Sequence, residues 1–312
     1  MEKQSEDSSD RILSTNDLIN PLTVMTFLAL LFIFTFLISN AIILLIGSWV
    51  GLSLEDAIIM LKQENSLGLR NYVRSILVIN HLFIFIFPSI LVALFFYKNK
   101  WANYLQLHFK PPSIQRTNSL LASLMVIAAL PIAQFTLWLN KQVPLPDWAT
   151  SIEENTNAML QNLLGSGGPF ELFLNLTVVA AIPAFAEELL FRGIIQRNFE
   201  KLFKTPHTAI WVAAILFSTF HMQFEGFLPR MLLGAMLGYL FYWAGSLWIP
   251  IIAHFVYNAI QIVAIYLYSN KMSTIDIDQI DNTPFGLIII SIIFVSVLGY
   301  FFIKTNLKSE KT

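Results

Sequence analysis

The sequence predicts an all-α integral membrane protein, with about eight transmembrane helices around a polar cavity inside the membrane. Three observations lead there. Of 312 residues, 56% are hydrophobic and 12% charged, with a mean hydropathy of +0.64. Soluble chains average about 25% charged residues, so this chain lacks the polar groups to cover a water-facing surface. Its apolar runs are continuous and near the roughly 20 residues a helix needs to cross about 30 Å of hydrocarbon, whereas a barrel would show short alternating segments. Finally, the ionisable groups inside those runs gather in the second half of the chain. The composition also excludes other classes. Without cysteine there is no disulfide framework, thiol nucleophile or iron–sulfur cluster, and a net charge of -1 with 27 Phe speaks against a nucleic-acid partner.

Taken in order, residues 1–20 are polar and acidic (Glu2, Glu6, Asp7, Asp10, Asp17) and read as a cytoplasmic tail. The first apolar run starts too late and is too long for a cleavable signal peptide. Spans follow at about 21–48, 76–97, 119–139, 170–198, 207–223, 230–244, 247–268 and 285–304. Residues 21–306 thus form one polytopic membrane domain, followed by a short cytoplasmic tail at 307–312. Ser53 with Asp56, and Ser151 with Glu154, fit the capping-box pattern and mark helices in two outer loops. These helices lie on the membrane surface, cover a cavity or serve as connectors. Lys and Arg set the orientation. Most of the 19 fall on the side of the N-terminus, leaving Lys62, Arg70, Arg74, Lys141, Arg230 and Lys271 for the other. The expectation is a multi-pass protein of the plasma membrane with both termini in the cytoplasm.

An ionisable side chain near the centre of a spanning helix costs about 2.5–3.5 kcal/mol on insertion scales, so each one asks for a reason. They are Glu187, Glu188 and Arg192 in the fourth span, His221 in the fifth, and His254 in the seventh, with Asn258 one turn further on. Glu188 and Arg192 are four apart, so they share a helix face and can neutralise each other. Glu187 is rotated by about 100° and has Phe191 at its i+4 position, which leaves its carboxylate available for chemistry. Pro183, one turn earlier, removes a backbone hydrogen bond and is expected to bend the helix. Phe217 precedes His221 by one turn. Gly234 and Gly238 form a small-xxx-small stripe that permits close helix approach. His81, beside Asn80 in the second span, either lines the cavity or, the favoured reading, packs in the interior.

A carboxylate and an imidazole facing one point can deprotonate a water held between them. A neutral imidazole or the Asn258 amide can then donate to the oxyanion formed when that water attacks a carbonyl. Glu187, His221 and His254 also make a two-His, one-carboxylate zinc set with an open position. Peptide-bond hydrolysis fits both arrangements, and spacing alone does not separate them.

These pairs resemble, in order and on separate spans, the three motifs of the CPBP (CAAX protease and bacteriocin-processing) family of intramembrane proteases. The matching residues are Glu187-Glu188 with Arg192, Phe217 with His221, and His254 with Asn258, and Gly245-Ser246-Leu247-Trp248 also looks like that family. The likeness covers about 170–266. It implies a helical membrane endopeptidase whose cavity opens to the cytoplasm and whose substrate is a peptide or membrane protein. By that resemblance Glu187 is the general base, His221 orients the water, and His254 with Asn258 stabilises the oxyanion. Glu188, Arg192 and Phe217 hold the site's shape. The group is often called metalloprotease, so zinc on Glu187, His221 and His254 stands as the alternative to a glutamate-activated water. Two other readings stay open. One is a non-catalytic immunity or scaffold protein; the other is a transporter with a Glu/His relay, for which the usual inverted repeat is not visible.

One geometric conflict remains. At 1.5 Å per residue Glu187 stands about 25 Å above the cytoplasmic end of its span and His221 about 21 Å, but His254 only about 10 Å if its span starts at Leu247. Either the turn between the sixth and seventh spans lies below the surface, or those spans are tilted.

Overall fold

The computed structural model describes residues 19–63, 66–109, 111–274 and 283–309; the acidic segment 1–18 and the last residues of the chain lie outside these. Among the described residues there are helices and no strands. Seven helices are long and apolar enough to cross a bilayer. They are α1 (Pro21–Val50), α3 (Leu67–Tyr104), α4 (Pro112–Lys141), α6 (Pro169–Phe203), α8 (Phe227–Ala244), α9 (Trp248–Ser269) and α10 (Phe285–Ser309). The remaining expected span is the shorter apolar helix α7 (Pro206–Phe220). Two further helices, α2 (Leu54–Gln63) and α5 (Asp147–Leu164), fall in the loops where capping boxes were read.

Both boxes mark helices, but only the first is a cap. The Asp56 N–H donates to Ser53 Oγ at 3.1 Å, and the Ser53 hydroxyl donates to Asp56 Oδ2 at 2.6 Å. Ser151 and Glu154 instead lie inside α5, which starts at Asp147 after an extended Pro146 and carries that aspartate in its first turn. An acid there complements the positive end of the helix dipole. The second span also begins earlier than its apolar run. Arg70 and Arg74, assigned by charge to an outer loop, are buried in α3. Arg70 Nε donates to Glu171 at 2.6 Å, and Arg74 donates to Glu171 at 3.0 Å and to Asn175 at 2.9 Å. Partners on α6 thus satisfy a polar turn and let α3 extend.

At 1.5 Å per residue, the 15 residues of α7 reach only about 22 Å, so in a hydrocarbon core of about 30 Å the turn that follows would fall within the membrane's depth. Irregular backbone is tolerated there only when protein satisfies its polar groups. Asn140 of α4 does so from both ends of its amide, donating to the Phe224 carbonyl at 2.6 Å and accepting from the Leu228 N–H at 3.2 Å. From above, Glu153 of α5 accepts from the Glu225 N–H at 3.0 Å. α5 thus contacts the loop that follows α7.

The helix after this loop, α8, packs on α7 through the glycine stripe. A Cβ on Gly234 would sit 3.2 Å from the Ala214 Cα, and one on Gly238 would sit 2.9 Å from Ile210 Cγ2. The turn from α8 to α9 settles the depth conflict. Gly245 takes a left-handed conformation (φ 59°), and Ser246 and Leu247 are completely buried beneath segment 105–109. The Leu247 N–H donates to the Gln106 carbonyl at 3.0 Å, and the Ser246 hydroxyl donates to that of His108 at 2.9 Å. Trp248 stacks flat on Phe109. α9 therefore starts below the surface and carries His254 up to the level of Glu187.

Replacing Gly238 by Val drives a branched side chain into Ile210 and Gln196. It is expected to cost about 1–3 kcal/mol, read as a lowered thermal midpoint of the detergent-solubilised protein. An unchanged midpoint would show that the two helices do not need this approach.

Candidate active site

The site is built on α6, whose regular stretch Ile182–Glu188 lies between two π-helical segments, Leu176–Ala181 and Leu189–Gln196. Each π turn holds an extra residue and changes the face the helix presents, a feature frequent at functional sites. The irregularity expected at Pro183 takes this form, with Glu187 and Glu188 at the end of the regular stretch.

Glu188 and Arg192 pair as their spacing requires, with Arg192 Nη1 donating to Glu188 Oε1 at 2.7 Å; both side chains are fully enclosed. The same carboxylate oxygen accepts from His254 Nδ1 at 2.9 Å. Arg192 Nη2 donates to the Gly234 carbonyl at 2.8 Å, and Gln196 donates to that of Gly238 at 3.1 Å. The i, i+4 pair on α6 thus reads the i, i+4 glycine pair on α8. The Arg192 guanidinium also lies over the Phe217 ring, 4.9 Å from its centre. Phe217 in turn presents edge contacts to Phe191, His221 and His254.

Glu187 is nearly enclosed, with 7% of its side chain exposed, and three imidazoles from three helices surround it. His81 Nε2 is 3.5 Å from Oε1, while His221 Nε2 and His254 Nε2 are each 3.9 Å from Oε2. Oε2 is buried and has no hydrogen-bond partner among the described residues. Asn258 is half-buried one turn beyond His254, and its amide has no protein partner among the described residues. Every residue singled out on α6, α7 and α9 is therefore in this neighbourhood, except that Asn258 is placed there by its helix position and not by a bond.

The other nitrogen of each ring determines what faces Glu187. His81 Nδ1 lies 2.8 Å from the Leu77 carbonyl, His221 Nδ1 2.8 Å from that of Phe217, and His254 Nδ1 2.9 Å from the Glu188 carboxylate. A carbonyl and a carboxylate only accept, so each Nδ1 carries a proton and each ring turns its Nε2 toward Glu187. The 3.5 Å from His81 to Oε1 is at the limit of a direct hydrogen bond, whereas the 3.9 Å gaps from His221 and His254 to Oε2 are too long for one. Such a gap is matched by a proton donor held between them.

For His81 the position fits the less favoured of its two readings: it stands against the central carboxylate and not in apolar packing alone. The signal for it was weak, an imidazole beside Asn80 in an otherwise apolar span. Near it, a groove of about 530 Å³ between α3 and α6 is lined by Arg74, Val78, Ile79, Leu174 and Val178 among others, and Val78 is one turn before His81.

A zinc on Glu187, His221 and His254 would need its donors at about 2.0–2.2 Å from one point. Glu187 Oε2 lies 3.9 Å from the Nε2 atoms of His221 and His254, and among the described residues no three His, Asp or Glu side chains are grouped as a metal site.

Residues 169–260 match the family described as type II CAAX prenyl endopeptidase Rce1-like. This segment is of the CPBP type. The uncharacterized protein YpbD of Bacillus subtilis (strain 168) is 31% identical over 96 residues, which is 30% of this chain and 43% of that protein. The chain therefore spans less than half the length of this relative. No solved structure matches. The match supports a CAAX-type intramembrane protease fold for this segment, which contains Glu187, Glu188, Arg192, Phe217, His221, His254 and Asn258; His81 lies outside it.

Replacing Arg192 by Ala leaves the Glu188 carboxylate buried without its cation. The expected loss is about 3–5 kcal/mol, seen as poor accumulation and a lowered thermal midpoint. The double change Arg192→Gln with Glu188→Gln should cost less than Arg192→Ala alone. Equal losses would contradict the pairing.

Proposed function

We propose that the protein is an intramembrane endopeptidase that hydrolyses a peptide bond of a membrane-associated peptide or protein with a water activated by Glu187. The observation that supports this reading is the unpartnered Oε2 of Glu187, flanked at 3.9 Å by the Nε2 atoms of two imidazoles. A water in that gap donates one hydrogen to Oε2 and the other to His221 or His254. Its lone pair is then free for a carbonyl carbon. As the C–O bond forms, the proton passes to Glu187 and the carbonyl oxygen becomes an oxyanion. The same proton then goes to the departing amine, the C–N bond breaks, and the carboxylate is restored for the next turnover.

The ring tautomers refine the expected roles. With its proton on Nδ1, neutral His254 cannot donate from Nε2, so donation to the oxyanion from a neutral imidazole is replaced by donation from the Asn258 amide. His254 becomes a second donor only after it takes up a proton. Glu188 holds the ring in this tautomer. The scheme uses no zinc, the cofactor being a separate question for metal analysis of the purified protein. The proposal includes a plasma-membrane location with both termini cytoplasmic, which rests on the Lys and Arg distribution.

Replacing Glu187 by Gln removes the base and keeps the shape. In membranes from cells expressing either form at matched levels, new peptide termini should appear with the wild type and vanish with Glu187→Gln. That comparison also names the substrate. Identical terminus profiles from two folded, abundant proteins would favour a non-catalytic binding or immunity role.

A further inference from the structure

His81 makes the shortest of the three imidazole approaches to Glu187, 3.5 Å against 3.9 Å for the other two, and it alone faces Oε1. Its ring is anchored at each accessible point. Nδ1 donates to the Leu77 carbonyl at 2.8 Å, the ring stacks on Phe85 at 5.5 Å between centres, and His81 opens the π-helical segment His81–Ile86. The preceding Asn80 accepts from buried Ser39 of α1 at 2.9 Å, which ties this turn to a second helix. An ordinary packing histidine would need no such arrangement, nor would it turn a nitrogen toward a buried carboxylate.

A proton count gives the arrangement meaning. The Nδ1 proton is used by Leu77, so Nε2 and Oε1 can join only through one further proton. Wherever that proton sits, as imidazolium with carboxylate or imidazole with carboxylic acid, the pair has no net charge. Of the permanent cations nearby, Arg192 is engaged by Glu188 and Gly234, and Arg230 by the side chain and carbonyl of Gln223. A lone carboxylate inside a membrane domain is costly, and His81 is the group placed to relieve it. The two carboxylate oxygens, equivalent by chemistry, are thereby distinguished: Oε1 is engaged and Oε2 keeps its lone pairs for the water.

Resting on the hydrolytic reading above, we propose that His81 is a positioning residue for Glu187, sharing one proton with Oε1 so that Oε2 acts as the base.

The test uses full-length protein in detergent, labelled with ¹⁵N-histidine; with 5 histidines in the chain, comparison with His81→Phe assigns the His81 signals. The expected spectrum shows a protonated Nδ1 and an Nε2 signal that moves in Glu187→Gln. A bare Nδ1, or an Nε2 signal indifferent to Glu187→Gln, would overturn the proposal without reference to activity. In membranes, the rate at which wild-type-specific termini appear, per folded molecule, should fall about tenfold or more in His81→Phe. His81→Gln, whose amide reaches the same oxygen, should stay within about threefold of wild type. A purely structural role would instead lower the amount of folded protein and leave the rate per molecule unchanged. If Glu187→Gln abolishes the termini and His81→Phe does not slow them, this inference alone fails. If Glu187→Gln still produces them, the hydrolytic reading fails.

Discussion

The Glu188 carboxylate accepts from Arg192 and from His254 through the same oxygen, and Arg192 passes the connection to the Gly234 carbonyl. Three helices, α6, α8 and α9, are joined at this point. A buried ion pair of this kind contributes little net stability, because desolvation offsets its attraction, but removing one partner is severe. Its contribution here is therefore geometric. It sets the turn of α6 that presents Glu187, the tautomer of His254, and the approach of α8 to α6. The glycine stripe belongs to the same device: with side chains at 234 and 238, α8 could not come close enough for its carbonyls to reach Arg192 and Gln196.

Membrane depth is the second constraint. A helix as short as α7 would end within a hydrocarbon core of about 30 Å, and that brings His221 to the level of Glu187. The exposed backbone this creates is taken up by Asn140 and Glu153, and α5 contacts the loop. On the opposite side, the buried turn at Gly245–Leu247 lets α9 start deep and lifts His254 to the same plane. Polar groups at three heights in sequence thus meet at one height in space.

Much of this was legible in the sequence, because the relevant physics is local. The apolar runs located the seven helices long enough to span and the shorter α7, the i, i+4 spacing paired Glu188 with Arg192 and left Glu187 apart, and Gly234 with Gly238 marked the close crossing. What could not be read depended on distant partners. The extension of α3 over Arg70 and Arg74 required Glu171 and Asn175, about a hundred positions away. The start of α5 followed Pro146 and Asp147 instead of the Ser151–Glu154 pattern, since a motif records a preference and not its context. Packing was the favoured reading of His81 for the same reason: one imidazole in an apolar span looks like packing until the carboxylate opposite it is known. The ring tautomers, on which the division between His254 and Asn258 turns, are set by the acceptors behind each Nδ1 and leave no trace in spacing.

The central claim is that a proton donor occupies the gap bounded by Glu187 Oε2, His221 Nε2 and His254 Nε2, with Glu187 as its acceptor. An experimental structure of the wild-type protein in lipid, at a resolution that shows ordered water, tests it most directly. The account predicts a single peak in that gap at hydrogen-bond distance from Oε2 and from at least one of the two imidazoles, with the Nδ1 contacts to Phe217 and Glu188 retained. A gap closed by direct bonding of either imidazole to Oε2, or rings turned so that Nδ1 faces Glu187, would contradict it.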